Sequence, residues 1–465
     1  MARTVISDAW MFHYANGKHQ LGYGDIVVGD QGVIEGIELK KPHANQGYLR
    51  DFNPDRIIVP GAVDTHCHGG GEFYNCTEGH CTGQNGEYSL GSEPLDQMLR
   101  KILRAHLQHG TTGMFLTSLA TQHLDELLEA ANGLYNSDNS GDPVSHARLF
   151  GIDIEGSFLY PDRSFTGAQN PEFMQEPTPE VIHDLLNKRD SPIIKKIALD
   201  PRWGESAMMA AEHIIRYHDA IPAIAHSGAS HDSVMQYILR VADASKQGKV
   251  VFVHLGNGPN GSGNKPVNAS VMEAVSTALH LGLPVFAENI LDGQHLHPQE
   301  SLRFFDLFGP NHYLGVTDNI GLSEPSPITR FKVAGVDAAV DPENPEAIWV
   351  AGKEGVALCG SRATTMDHLL PTFLRMVMRP TYEDLPGVYR RGQREPMFEQ
   401  PLSFEEAMDY ALRALCSNPV DVYGLGNFGK IALGHVADLV ELEVDHHLLS
   451  TKVARVFLRG NPVDC

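Results

Sequence analysis

Between residues 57 and 318, eight short apolar runs alternate with helical stretches, and that alternation leaves few folds open to the chain. The runs are Ile57–Asp64, Gly113–Ser118, Leu149–Glu155, Ile193–Asp200, Pro222–His226, Val250–His254, Pro284–Ala287 and Leu314–Asp318. Each is β-branched or apolar and is bounded by Gly, Pro or polar residues. Stretches such as Leu95–Gly110, Thr178–Arg189 and Ser270–Gly282 read as helices between them. Parallel strands need a crossover, so this order implies right-handed βαβ units and a parallel sheet. Eight such units predict a closed (β/α)8 barrel of the TIM type within an α/β fold. A doubly wound open sheet is the alternative, but no Gly-rich dinucleotide fingerprint follows the first run.

The flanks have another texture. Thr4–Asp8, Gly24–Gly29 and Val33–Leu39 are short alternating runs with turn signals, and the tail repeats the pattern around Gly429–Leu442 and Val453–Arg459. Both ends are therefore expected to pair into one small β-sandwich domain. The division is 1–58 and 425–465 for that domain and 59–424 for the barrel. Two insertions stand out: Asp337–Val356, which reads as a hairpin, and the polar, Pro-rich Arg379–Gln400, which reads as a surface loop.

Composition narrows the function. A formal net charge of −22 would repel nucleic-acid phosphates and an anionic membrane surface. No run approaches the ~18 apolar residues of a membrane helix, and the N-terminal residues lack a signal-peptide core. Six cysteines in 465 residues make no disulfide framework. A cytoplasmic protein without nucleic-acid or membrane partners is expected. Cys76, His80 and Cys81 are too loosely spaced for a zinc clip and read as a surface loop.

In a barrel, chemistry gathers at the C-terminal ends of the strands, so polar residues there carry the information. The first run ends in His66 and His68, whose spacing of two puts both imidazoles on one face of a strand. The third ends in Glu155, the fifth in His226, the sixth in His254 and the eighth in Asp318. Each run is apolar, presents one metal-competent group, then breaks. Four imidazoles and two carboxylates converging on one rim suit Zn²⁺ or a similar divalent ion.

These motifs, in this order, resemble the amidohydrolase superfamily. The segments Pro60–Gly69, Asp153–Phe158 with Gly167–Gln169, Ala225–Ala229, His254–Asn257, Asp292–His295, Val316–Asp318 and Leu358–Ser361 resemble its N-acetylglucosamine-6-phosphate deacetylase branch. The closing Gly434–Val440 is similar to the small β domain of that superfamily. The resemblance implies hydrolysis of the acetamide of an N-acetylhexosamine 6-phosphate. It implies one metal on Glu155, His226 and His254, and a second on His66 and His68 with Glu155 bridging. Zn²⁺ is expected first, with Fe²⁺, Mn²⁺ or Co²⁺ also fitting. It makes Asp318 the general base and then acid, and puts His295 over the carbonyl or a sugar hydroxyl. It assigns Asn257, Gly258 and Lys265 to the phosphate, and Ala168 and Gln169 to the sugar. A homodimer is implied as well. Relatives outside the branch bridge their metals with a carboxylated strand-4 lysine, a role open to Lys195 or Lys196. Lys265 stands where the branch has an Arg, and Asp153 and Ser157 stand where it has His and Pro. The other readings are a sister hydrolase acting on another N-acyl or cyclic amide, and a barrel that only binds.

Overall fold

The computed structural model describes residues 4–42, 54–71, 74–75, 79–81, 88–89, 93–140, 144–188, 192–245, 248–257, 269–323, 328–333, 336–351, 358–378 and 401–463. Its centre is an eight-stranded parallel sheet whose spatial order follows the chain. The strands are Ala62–Asp64, Thr111–Ser118, Arg148–Ile154, Ile194–Ala198, Ile221–Ile224, Val250–Phe252, Val285–Ile290 and Tyr313–Val316. Most of their residues are buried, as expected for parallel strands covered on both faces. The last strand returns to the first: Thr317 donates to Asp64, Asp318 N donates to His66 O at 2.9 Å, and His68 N donates to Asn319 O at 2.9 Å. These bonds close the seam, so the expected (β/α)8 barrel is what forms.

Helices cover the outside. Those at Leu95–Gln108, Pro179–Asn187 and Ala269–His280 fall where the sequence pattern places them. The second shows why it forms: Thr178 accepts from Val181 N, Pro179 takes the first turn, and Ile182 and Leu185 turn inward. One apolar core lies between strands and helices. A smaller one fills the barrel, where Val63, Phe115, Val251 and Leu314 meet Tyr423 from the closing helix Asn418–Tyr423.

The run Ile57–Asp64 divides into two strands. Arg56–Pro60 joins a seven-stranded sheet, whereas Ala62–Asp64 enters the barrel. The break is Gly61, packed so tightly on Thr112 that a Cβ would collide with that side chain. In the seven-stranded sheet, Leu439–Asp445, Ser450–Leu458 and Asn461–Val463 continue from Arg56–Pro60 on one side. Thr4–Ala15, Lys18–Val28 and Ile34–Leu39 continue on the other. Both chain ends thus build one sheet with its own apolar cluster around Met11, Ile58 and Leu439.

At the insertion Asp337–Val356, Val336–Val340 and Ala347–Val350 pair antiparallel, a hairpin inside a four-stranded sheet completed by Arg330–Val333 and Leu358–Ser361. The segment 379–400 and the side chains of Cys76, His80 and Cys81 lie outside the described residues. No described helix is long and apolar enough to cross a membrane.

Candidate metal centre

Three barrel strands stop two residues short of their candidate ligands. The fifth ends at Ile224, the sixth at Phe252 and the eighth at Val316. His226, His254 and Asp318 then take φ of 44°, 31° and 49°, in the left-handed region that non-glycine residues rarely occupy. That turn ends the strand ladder and aims each side chain across the mouth. Strain of this kind persists only where surrounding structure enforces it, and it clusters at functional sites.

The six candidate ligands meet. Glu155 Oε1 lies 2.8 Å from His254 Nε2, 3.2 Å from His226 Nε2 and 4.0 Å from His66 Nε2. Its Oε2 lies 3.4 Å from His68 Nε2. Asp318 Oδ1 completes the ring at 3.3 Å from His66 Nε2 and 3.4 Å from His68 Nε2. His66, Glu155 and His254 form one group of donor atoms within 4.8 Å of each other, and His66, His68 and Asp318 form another.

The histidines are held from behind. His66 Nδ1 lies 2.8 Å from Asp153 Oδ2, and His68 Nδ1 lies 3.1 Å from the Thr117 carbonyl oxygen. These acceptors put the proton on Nδ1 and turn Nε2 inward as a lone pair, the arrangement of metal-ligating imidazoles. His66 Nε2 is buried and has no hydrogen-bond partner among the described residues. A cation would satisfy that atom, and the mixed imidazole and carboxylate set suits a divalent one.

The electrostatics favour positive charge here. Burial pushes the Glu155 carboxyl up, but His226, His254 and His68 outweigh it and hold it well below its usual range. Burial also acts on Asp318, and His66 and His68 likewise hold it well below. His68 opposes its own burial through Asp318 and Glu155 and is raised to about 9.

Behind the imidazoles lies a second layer. Lys196 Nζ reaches Asp153 Oδ2 at 3.0 Å, Glu288 Oε2 at 2.6 Å and the Thr65 carbonyl oxygen at 3.0 Å. Burial disfavours this ammonium, yet Asp153 and Glu288 raise its pKa and keep it charged. An ammonium so occupied is no carboxylated bridge between metals. Lys195 points elsewhere, its Nζ 2.8 Å from Asp219. Thr117 donates to Asp153 at 3.1 Å, while Thr65 and Tyr423 both donate to Glu288.

Gln169 is buried, and its amide is committed: Nε2 donates to Glu155 Oε2 at 2.5 Å, and Oε1 accepts from Ala120 N at 2.7 Å. Ala168 beside it is half-buried. His295 is fixed by Asp292, with 2.6 Å between Nδ1 and Oδ2, and burial that would lower its pKa is outweighed by Asp292. The charge of Asp318 also reaches this ring. Asn257 follows His254 in a turn closed by its own N–H on the His254 carbonyl, 3.0 Å away. Gly258 and Lys265 lie outside the described residues.

No protein-family model matches the chain. It is 24% identical over 299 residues to the N-acetylglucosamine-6-phosphate deacetylase of Bacillus subtilis, covering 63% of this chain and 65% of that one. It is 26% identical over 263 residues to the N-acetylgalactosamine-6-phosphate deacetylase of a Shewanella species, covering 56% of each. The matches thus span less than two thirds of either relative. A solved variant of N-acetyl-D-glucosamine-6-phosphate deacetylase from Mycobacterium smegmatis superposes with a TM-score of 0.71, at 22% identity and 100% coverage of both chains. The chain resembles the amidohydrolase superfamily, and within it the N-acetylhexosamine-6-phosphate deacetylases.

The strand-end pattern marked the six residues that meet at the barrel mouth, but not their supports Asp153, Lys196 and Glu288. A signal for them exists. Asp153 precedes Glu155 by two, on the same strand face, and Glu288 directly follows the apolar run Pro284–Ala287. An unexplained charge inside a barrel strand marks a buried network rather than a surface.

Proposed function

We propose that this protein is a metal-dependent amidohydrolase that removes the acetyl group from an N-acetylhexosamine 6-phosphate. The reading is carried by one observation: Asp318 stands against His66 and His68, on the far side of the His66 ring from Asp153, with Glu155, His226 and His254 alongside. Glu155, His226 and His254 would hold one divalent ion, and His66 and His68 a second with Glu155 shared. Zn²⁺ suits the donors best, while Fe²⁺, Mn²⁺ and Co²⁺ accept the same set. When bound, such an ion lowers the pKa of water toward ~7 and polarises a carbonyl.

The remaining chemistry belongs to the chain. Asp318, kept ionised by its imidazole neighbours, takes a proton from the attacking water. As the C–N bond breaks, it returns that proton to the departing amine, releasing acetate and the amino sugar phosphate. His295, aligned by Asp292, donates toward the developing oxyanion or a sugar hydroxyl. Gln169 fixes the Glu155 carboxylate so that its other oxygen faces the imidazoles. Ala168 lines the sugar side, and Asn257, Gly258 and Lys265 receive the phosphate. A cytoplasmic homodimer completes the proposal.

The test is acetate release from N-acetylglucosamine 6-phosphate, with the galacto epimer and the unphosphorylated sugars as parallel arms. Turnover of a 6-phosphate and little without it is expected. Turnover independent of phosphate overturns the substrate assignment and favours a sister hydrolase. Absence of turnover with metal bound supports a binding barrel. Asp318→Asn should keep its metal and lose about 10²–10⁴-fold in turnover.

A further inference from the structure

A second histidine cluster lies on the outer helical layer. His183 sits in the helix Pro179–Asn187, and His213 in the next helix, Glu205–Tyr217. His218 is the C-cap of that second helix. Its extended backbone, φ −136° and ψ 157°, ends the helix and lets the ring swing back beside His213. Ring centroids lie 5.4 Å apart for His183 and His213, 5.3 Å for His213 and His218, and 6.4 Å for His183 and His218. One ring nitrogen from each lies within 4.8 Å of the other two.

Packing alone would explain three rings meeting edge-on or tilted, but it does not explain their nitrogens. Nε2 of His213 and Nε2 of His218 are both buried, and neither has a hydrogen-bond partner among the described residues. A buried polar atom left unsatisfied costs about 1–3 kcal/mol, so two side by side demand a shared partner. Burial, and then the neighbouring imidazoles, lower the pKa of both rings and keep them neutral, the form that ligates metal. Glu180, one turn before His183, adds a negative field at His213.

We propose that His183, His213 and His218 form a divalent-metal site outside the barrel mouth, which takes a late first-row ion such as Zn²⁺ or Ni²⁺. Three imidazoles without thiolates suit those ions. Tetrahedral coordination at Zn–N of ~2.0–2.1 Å needs donors about 3.3 Å apart, and these donors already lie within 4.8 Å of one another. The fourth position opens on the side of His183, which is exposed. The ion would clip two consecutive barrel helices together, and so stabilise the fold by binding it and not the unfolded chain. This site is independent of the reading of the mouth.

Chelator-treated full-length protein is dialysed against micromolar free Zn²⁺ and its zinc counted by elemental analysis. Wild type should hold one equivalent more than His183→Gln and one more than His213→Gln, while acetate release by both variants stays at the wild-type level. His66→Gln should retain the outer equivalent. Zinc should raise the melting temperature of His66→Gln, and the double variant with His183→Gln should lose that rise. Equal zinc in wild type, His183→Gln and His213→Gln overturns the proposal, whatever the activity. His183 is exposed, so its variant decides the question even if His213→Gln folds poorly.

Discussion

Two groups of histidines in this chain occupy opposite environments. At the barrel mouth, His66 and His68 are buried and backed by Asp153 and a carbonyl, and they face Glu155 and Asp318. Between the outer helices, His183, His213 and His218 contact mainly one another, and no described carboxylate bonds them. The mouth raises the pKa of His66 and His68, whereas the outer cluster lowers that of His213 and His218. Residue type is the same in both. The difference lies in the carboxylates: Asp153 orients the His66 ring from behind, and Glu155 and Asp318 supply the negative charge that makes a cation welcome.

The largest expected effects come from breaking the mouth. Glu155→Gln keeps the shape but removes the charge that four imidazoles share. Bound metal at the mouth and acetate release should both fall by about 10³-fold or more, read by elemental analysis and turnover. Retained metal with normal turnover would show that the carboxylate is not the centre of the cluster. Lys196→Met comes next. It strips the buried cation from between Asp153 and Glu288, leaving two uncompensated carboxylates, and should cost about 3–5 kcal/mol in denaturant titrations. His183→Gln without metal should change stability by no more than about 0.5 kcal/mol, as for an exposed residue. Similar costs for the two would erase the contrast.

The barrel was legible because its signals are local and repeated. Each strand reads as an apolar run, and each run ends at a break. The split at Gly61 was not legible, because it is decided by contact with Thr112, far along the chain. The candidate site residues His66, His68, Glu155, His226, His254 and Asp318 could be read since each sits at the end of such a run. The bent backbone of His226, His254 and Asp318 could not, because strand pattern carries no sign of φ. Lys196 was misleading on its own: a lysine inside strand 4 suggests a bridging role until its partners Asp153 and Glu288, on strands 3 and 7, are in view. The outer trio gave no periodic signal at all, since His213 and His218 lie five apart and meet only because the helix ends at Tyr217.

The smallest predicted effect separates the two clusters by sign. In chelator-treated protein, His68 holds its proton in the folded state up to about pH 9 and in the unfolded chain only to ~6.5. Its contribution to stability is complete below pH 6.5 and is lost as pH rises through 9. His213 and His218 do the reverse. Their folded pKa values lie below the unfolded value, so the unfolded chain takes up protons first as pH falls under ~6.5, and stability is lost on the acid side. Melting temperature against pH for wild type, His68→Gln and His213→Gln resolves this. His68→Gln should flatten the decline above pH 6.5, and His213→Gln the decline below it, the latter by about a degree for a ring only partly buried. Parallel curves for all three would mean that the two clusters titrate alike, and that the carboxylates around the mouth do not set the charge of its histidines.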